Sequence, residues 1–487
     1  MKSSNQMPLP EIIDNLPNIC GIDKEVVEAT TNVGTVFKSA PVSLDKVQSA
    51  FAIGLHMHQP TIPAGGDDLS RAALICNLQD MFDHPDVGDN HNASVFAWCY
   101  SRIADFIREL SDQGKHPRVM LDYSGNLLWG LRQMGKGDVL ENLKTVACDE
   151  RYFPCVEWLG TMWGHALVSA TPVPDLALHI RAWQHHFSAI FGREALSRVK
   201  GFSPPEMHLP NHPDVCYEYV KVLKECGYKW LLVQEHTVEN IDGSGLFRQH
   251  LPHRLIARNL KGEMVSITAL IKTQGSDTKL VAQMQPFYEA KGLHRVGLGG
   301  VVIPPLVTQI SDGENGGVMM NEFPDGYKNG FNQIGKEGVI GLNGTEYLEM
   351  IEAAGGSPDD YIPIQPIHQC LVWERMGKGA EKDVSKVIEE IKKENHNFHM
   401  DGGSWTNDLN WVKGYGNVLD PMKELSVLFH KKLDDQSVDR NSYDYRNGLL
   451  HLLISQTSCF RYWGQGLWTD YAQEICRRGT EIITENF

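Results

Sequence analysis

The stretch Gly201-Phe202-Ser203-Pro204-Pro205-Glu206-Met207-His208 decides how the rest of the chain is read. Residues 195–200 before it read as a helix end leading into a short strand. Two successive prolines fix φ and push the residue before each towards extended geometry. Glu206 therefore stands where a strand meets a loop, on a stiff length of backbone. In a β/α barrel that edge is where catalytic side chains gather. A carboxylate held so firmly suits a nucleophile, which must stay aligned with its target atom. The other reading of this stretch alone is a proline-rich loop with a solvated glutamate.

Upstream, a strand over residues 50–55 runs into His56-Met57-His58-Gln59-Pro60. Alternation puts His56 and His58 on one face, and Pro60 ends the strand. His-x-His is a zinc-ligand spacing. It is equally a pair of core histidines, or imidazoles that donate to sugar hydroxyls without a full charge. A strand at 118–121 leads into the turn Asp122-Tyr123-Ser124-Gly125, and another at 155–160 ends near Trp163-Gly164-His165. Glu157, Trp158, Trp163 and His165 are thus expected close to a strand's carboxyl end, the tryptophans serving as core or as a sugar platform.

Downstream, a helix over 213–226 closes at Gly227 and a strand follows at 228–233. Residues 240–297 show one strand, at 264–270, and otherwise read as loops or an insertion. The apolar run to residue 310 ends in Ser311-Asp312-Gly313-Glu314-Asn315, again carboxylates at a strand end. Gly313 permits a sharp turn, so Asp312 and Glu314 need not point the same way. The motif lacks the distant glutamate of a calcium loop, and a plain turn is the alternative. A loop carrying Trp405 comes next. Helices near 420–434, 440–457 and 468–485 follow, enclosing Phe460-Arg461-Tyr462-Trp463. Alternating strands and helices, then helices alone, predict an α/β fold: a parallel β/α barrel with a C-terminal helical domain. The expected divisions are an N-terminal extension (1–47), the barrel (48–375) and the helical domain (376–487).

With 487 residues the chain buries a large core, and its 42% hydrophobic and 22% charged content is that of a soluble globular protein. Its net charge of −16 argues against nucleic acid or an anionic membrane as partner and is compatible with a neutral polar ligand. Residues 1–20 lack a basic segment followed by an apolar one, and the ten scattered cysteines form no Cys-x-x-Cys pair. The expectation is a cytoplasmic protein with reduced thiols.

Taken in order, five of these stretches resemble the motifs of glycoside hydrolase family 57, over residues 50 to the carboxyl end. His56-Met57-His58-Gln59-Pro60 resembles the first, Glu157 to His165 the second, Pro205-Glu206 the third, Asp312-Gly313-Glu314-Asn315 the fourth and Phe460-Arg461-Tyr462-Trp463-Gly464 the fifth. The resemblance implies an incomplete, seven-stranded β/α barrel and retaining cleavage of α-glucans such as glycogen, starch or maltooligosaccharides. It implies Glu206 as nucleophile and Asp312 as general acid/base. His56, His58, Gln59, Glu157, Trp163, His165, Trp405 and Trp463 would bind substrate, with no cofactor or metal. Phe202-Ser203 stands where many members have tryptophan, and Ser458-Cys459-Phe460 where Ser-Asp-Trp is common. Both departures fall where subsites are shaped. Three alternatives remain: a 4-alpha-glucanotransferase or glycogen branching enzyme using the same residues, a zinc-dependent polysaccharide deacetylase using His56 and His58 with an aspartate, and a catalytically silent α-glucan-binding protein.

Overall fold

The computed structural model describes residues 9–31, 34–37, 44–64, 68–273, 281–314, 318–378, 383–406, 416–434, 438–462 and 466–487. Seven strands form its centre: β1 (Ser49–Met57), β2 (Val119–Tyr123), β3 (Val156–Gly160), β4 (Gly201–Phe202), β5 (Trp230–Gln234), β6 (Met264–Lys272) and β7 (Leu306–Asp312). Each pairs in parallel with the next, and β7 pairs in parallel with β1. The result is a closed, seven-stranded parallel barrel, followed by a C-terminal helical region.

Period-two alternation explains how this barrel builds a site. The inward set holds Ala50 and Ala52 of β1, Met120 of β2, Leu159 of β3, Leu232 of β5, Leu270 of β6 and Ile310 of β7, all in one buried cluster. The outward set, including Phe51, Ile53, Leu55, Leu121, Leu231, Val233 and Ile271, packs against the surrounding helices. Two residues beyond the inward apolar layer, the same face carries Asp122, Gln234, Lys272 and Asp312, and His56 joins them four residues beyond Ala52. A polar layer therefore caps the apolar plug at the strands' carboxyl ends, the functional end of such barrels.

The element that sequence reading missed is His253–Arg258, inside the stretch read as loops. It runs antiparallel to β6 and parallel to Ile362–Pro366, which in turn pairs with Val238–Asn240. These three strands widen the sheet outside the closed ring. In the extension, Asp23–Thr30 is a helix, and Glu349 accepts from the backbone N–H groups of Val36 and Phe37 at 2.6 and 2.8 Å.

Helices Gly416–Leu433, Tyr443–Ser455 and Leu467–Asn486 pack on one another and reach back to the barrel rim. Thr457 bridges to Ala166, and the Ser458 N–H donates to the His165 carbonyl at 3.0 Å. Gly164 is required there, because a Cβ would collide with the Leu453 carbonyl. All ten cysteines are free, and only Cys148 is exposed. Among the described residues no helix is long and apolar enough to cross a membrane.

Candidate active site

Glu206 sits in the turn Pro205–Met207 that follows β4, with φ 57° and ψ 23°. Left-handed backbone at a non-glycine residue costs on the order of 1–3 kcal/mol, so the surroundings must enforce it. They do so through a ladder to the segment before the C-terminal helices. Leu209 and Gly403 exchange backbone hydrogen bonds at 2.8 and 3.0 Å, and the Trp405 N–H donates to the Glu206 carbonyl at 3.1 Å. The Trp405 indole Nε1–H then donates to Glu206 Oε2 at 2.7 Å. His165 Nδ1 lies 3.9 Å from the other oxygen. Both the backbone and the carboxylate of Glu206 are held.

Asp312 is the last residue of β7, in register with His56 of β1. The Gly313 N–H donates to the His56 carbonyl at 2.7 Å, and a Cβ there would collide with the Met57 thioether. Beyond this turn the two carboxyls diverge. Asp312 is exposed, whereas Glu314 is buried and accepts from the His58 N–H at 3.2 Å. Burial, and then the charge of Asp312, push the Glu314 carboxyl up to about 7.

The three predicted histidines come together as a stack. The His58 and His165 rings lie 3.9 Å apart at 10°, and His56 and His165 4.7 Å apart at 28°. His56 Nδ1 meets Asp122 Oδ2 at 3.0 Å and His56 Nε2 meets His165 Nε2 at 2.8 Å. Burial disfavours a charge on His56, but the buried Asp122 carboxylate outweighs it, with Asp312 and Glu314 adding, and raises it to about 10. Burial and the neighbouring imidazoles hold His165 well below its ordinary value. The proton order follows: cationic His56 donates to Asp122 and to His165, and His165 donates to Ser458 Oγ at 2.8 Å. His58 is likewise held neutral by burial and by His56, between Ser124 Oγ at 2.7 Å and Cys459 Sγ at 3.5 Å. Cys459, the residue that departs from the usual Ser-Asp-Trp, is a buried thiol pushed up to about 12 by burial and then by Glu206.

Glu206, Asp312, His56, Asp122, Lys272 and Trp405 line one cavity of about 350 Å³, within the usual range for small-ligand sites. His58 and His165 stand behind His56, off this lining, and three further predicted residues are placed elsewhere. Glu157 is the second residue of β3, at the barrel's amino end, where it accepts from the Thr345 N–H at 2.9 Å and from the Thr345 hydroxyl. Burial pushes it up to about 7. Its strand starts at Val156, so Glu157 lies at the strand's start and not at its carboxyl end. Trp163 is fully buried and donates from Nε1 to His186 at 3.2 Å, a core residue rather than a platform. Gln59 stands behind the site, donating to Tyr100 at 3.0 Å and accepting from Asn77 at 3.0 Å. Trp463 lies outside the described residues.

Sequence reading passed over Asp122 and Lys272. Lys272 ends β6 and Asp122 is the last inward-facing residue of β2, so the rule applied to Asp312 finds them once the strand ends are placed. Both ring nitrogens of His56 are engaged by Asp122 and His165, which opposes its pairing with His58 as a metal ligand. No group of three metal-ligating side chains stands together among the described residues.

A closed parallel barrel with three carboxylates, Glu206, Asp312 and Asp122, on one carboxyl-end cavity is an arrangement typical of barrel enzymes. Residues 52–274 match the model of glycosyl hydrolase family 57. The match spans the histidine and Glu206 motifs and ends before Asp312. No curated protein matches in sequence. Among solved structures, a 4-alpha-glucanotransferase from Thermococcus litoralis is similar, with 16% identity, a TM-score of 0.50, and coverage of 84% of this chain and 55% of that one. The chain thus spans about half the length of that structure. A GH57-type branching enzyme from Pyrococcus horikoshii has 11% identity, a TM-score of 0.51 and coverage of 90% and 88%. At such identities these likenesses establish the fold.

Proposed function

We propose that the chain is a retaining glycosidase acting on α-1,4-glucans, with Glu206 as nucleophile and Asp312 as general acid/base. The observation that carries this reading is the opening of both carboxylates onto one cavity beside cationic His56. Glu206 attacks the anomeric carbon while Asp312 protonates the departing glycosidic oxygen, leaving a glycosyl ester on Glu206. Asp312 then takes a proton from water as the water oxygen displaces Glu206. The indole of Trp405, donating to Oε2, leaves Oε1 as the attacking atom. His56 offsets the negative charge of the site, and neutral His165 and His58, with their ring nitrogens engaged by His56, Ser458, Ser124 and Cys459, form the stack behind it. Trp405, half-exposed, offers a ring face to the glucan chain.

Hydrolysis of glycogen, starch or maltooligosaccharides, as by an α-amylase, is the preferred form. The alternative keeps every residue and replaces water by a sugar hydroxyl, giving a glucanotransferase or branching activity. The names of the two structures of similar fold agree with that alternative. Incubation with maltoheptaose and with glycogen tests the reading, beside Glu206→Gln and Asp312→Asn. Shorter products from wild type alone support the hydrolase; longer ones beside them mean transfer. An inert wild type retained on glycogen overturns the enzyme in favour of a binding protein.

A further inference from the structure

The two carboxylates divide the barrel rim into unequal arcs. From Asp312 on β7, the order passes through His56 on β1, Asp122 on β2 and the His165 segment after β3, reaching Glu206 after β4. The return path from Glu206 crosses only β5 and β6. That shorter arc carries Lys272, the last residue of β6, in register with Gln234 of β5 and Thr308 of β7. Lys272 follows Leu270 on the inward face, one step above the apolar layer, and lines the cavity that Glu206 and Asp312 share. It is 5% exposed. Burying a lysine there is costly, and burial lowers it to about 8, which still leaves it mostly charged at neutral pH. The opposite arc offers the His56 imidazole and Asp122, so the two halves of the cavity differ in chemistry.

We propose that Lys272 is the specificity residue for the sugar on the acceptor side of the cleaved bond, with the histidine arc holding the donor sugar. This rests on the glycosidase reading above. Its ammonium donates to hydroxyls of the departing sugar and later of an incoming one. In transfer, the acceptor oxygen bonds to the anomeric carbon as the bond to Glu206 breaks, and Asp312 takes the acceptor's proton. Lys272 holds that acceptor in line and thereby favours sugar over water. An anionic acceptor is disfavoured, because two carboxylates share the cavity.

The test uses the full chain with α-maltotriosyl fluoride, whose leaving group makes no acceptor-side contact, and with maltoheptaose. In Lys272→Met, fluoride release falls by clearly less than the cleavage of maltoheptaose. Cleavage of maltoheptaose and transfer to added maltotriose fall on the order of tenfold or more, mainly through KM, the size of one charged hydrogen bond. Lys272→Arg recovers part of that loss. Equal losses on fluoride and maltoheptaose would overturn the proposal, as would no loss on either. A wild type inert towards both substrates would sink the glycosidase reading and this inference with it.

Discussion

Glu157 and Glu314 are both buried glutamates at barrel ends, and burial pushes both up to about 7. Their settings differ in what faces them. Glu157 at the amino end is closed off by Thr345, whose backbone and hydroxyl satisfy it, with Trp230 donating to the same hydroxyl at 2.8 Å. Glu314 at the carboxyl end lies beside Asp312 and His56, one turn from an open cavity. A raised carboxyl is therefore no mark of function by itself. What separates the two is access to a cavity and a second ionisable partner.

The largest effects should come from the carboxylates that face the cavity. Glu206→Gln should lose on the order of 10⁴-fold or more in kcat on maltoheptaose, and Asp312→Asn about 10²–10⁴-fold. Asp312→Asn should lose far less on α-maltotriosyl fluoride, because fluoride departs without a proton. Equal losses on both substrates would remove Asp312 from the acid role. Trp405→Phe, which deletes the indole donor to Glu206, should lower kcat/KM by roughly 10- to 100-fold, the worth of one charged hydrogen bond.

Glu314→Gln sharpens the comparison. The amide mimics the protonated acid, so activity below pH 6 should persist, while any inflection of kcat near pH 7 should vanish. Glu157→Gln should leave the pH–activity profile unchanged and alter stability instead. The ordinary value of 4.5 rises to about 7 on folding, so the native state binds more protons and stability falls as pH rises through that window. The penalty is on the order of 3 kcal/mol, and in Glu157→Gln the fall in Tm between pH 5 and 7 should flatten. A shifted pH–activity profile in Glu157→Gln would erase the contrast between the two ends.

The sequence revealed the strand-end logic better than the depth of each residue along its strand. His56, Asp312 and Glu206 lie at strand ends marked by proline or glycine, so local chemistry located them. Glu157 was misplaced because a five-residue strand carries no local mark of how far each residue lies from its carboxyl end. Trp163 reads alike as platform or core, and only the packing against His186 and Trp129 makes it core. The contact of Trp405 with Glu206 spans 199 residues, and the strand His253–Arg258 owes its place to sheet pairing; neither has a local signature. Lys272 escaped because the strand runs two residues past its apolar stretch.

The most direct test of the central claim is the site of covalent labelling by 5-fluoro-α-glucosyl fluoride, read by peptide mass mapping. The reading predicts one added 5-fluoroglucosyl group on the peptide that contains Glu206, absent in Glu206→Gln. Label on another carboxylate, or turnover with inverted product and no label, would contradict it.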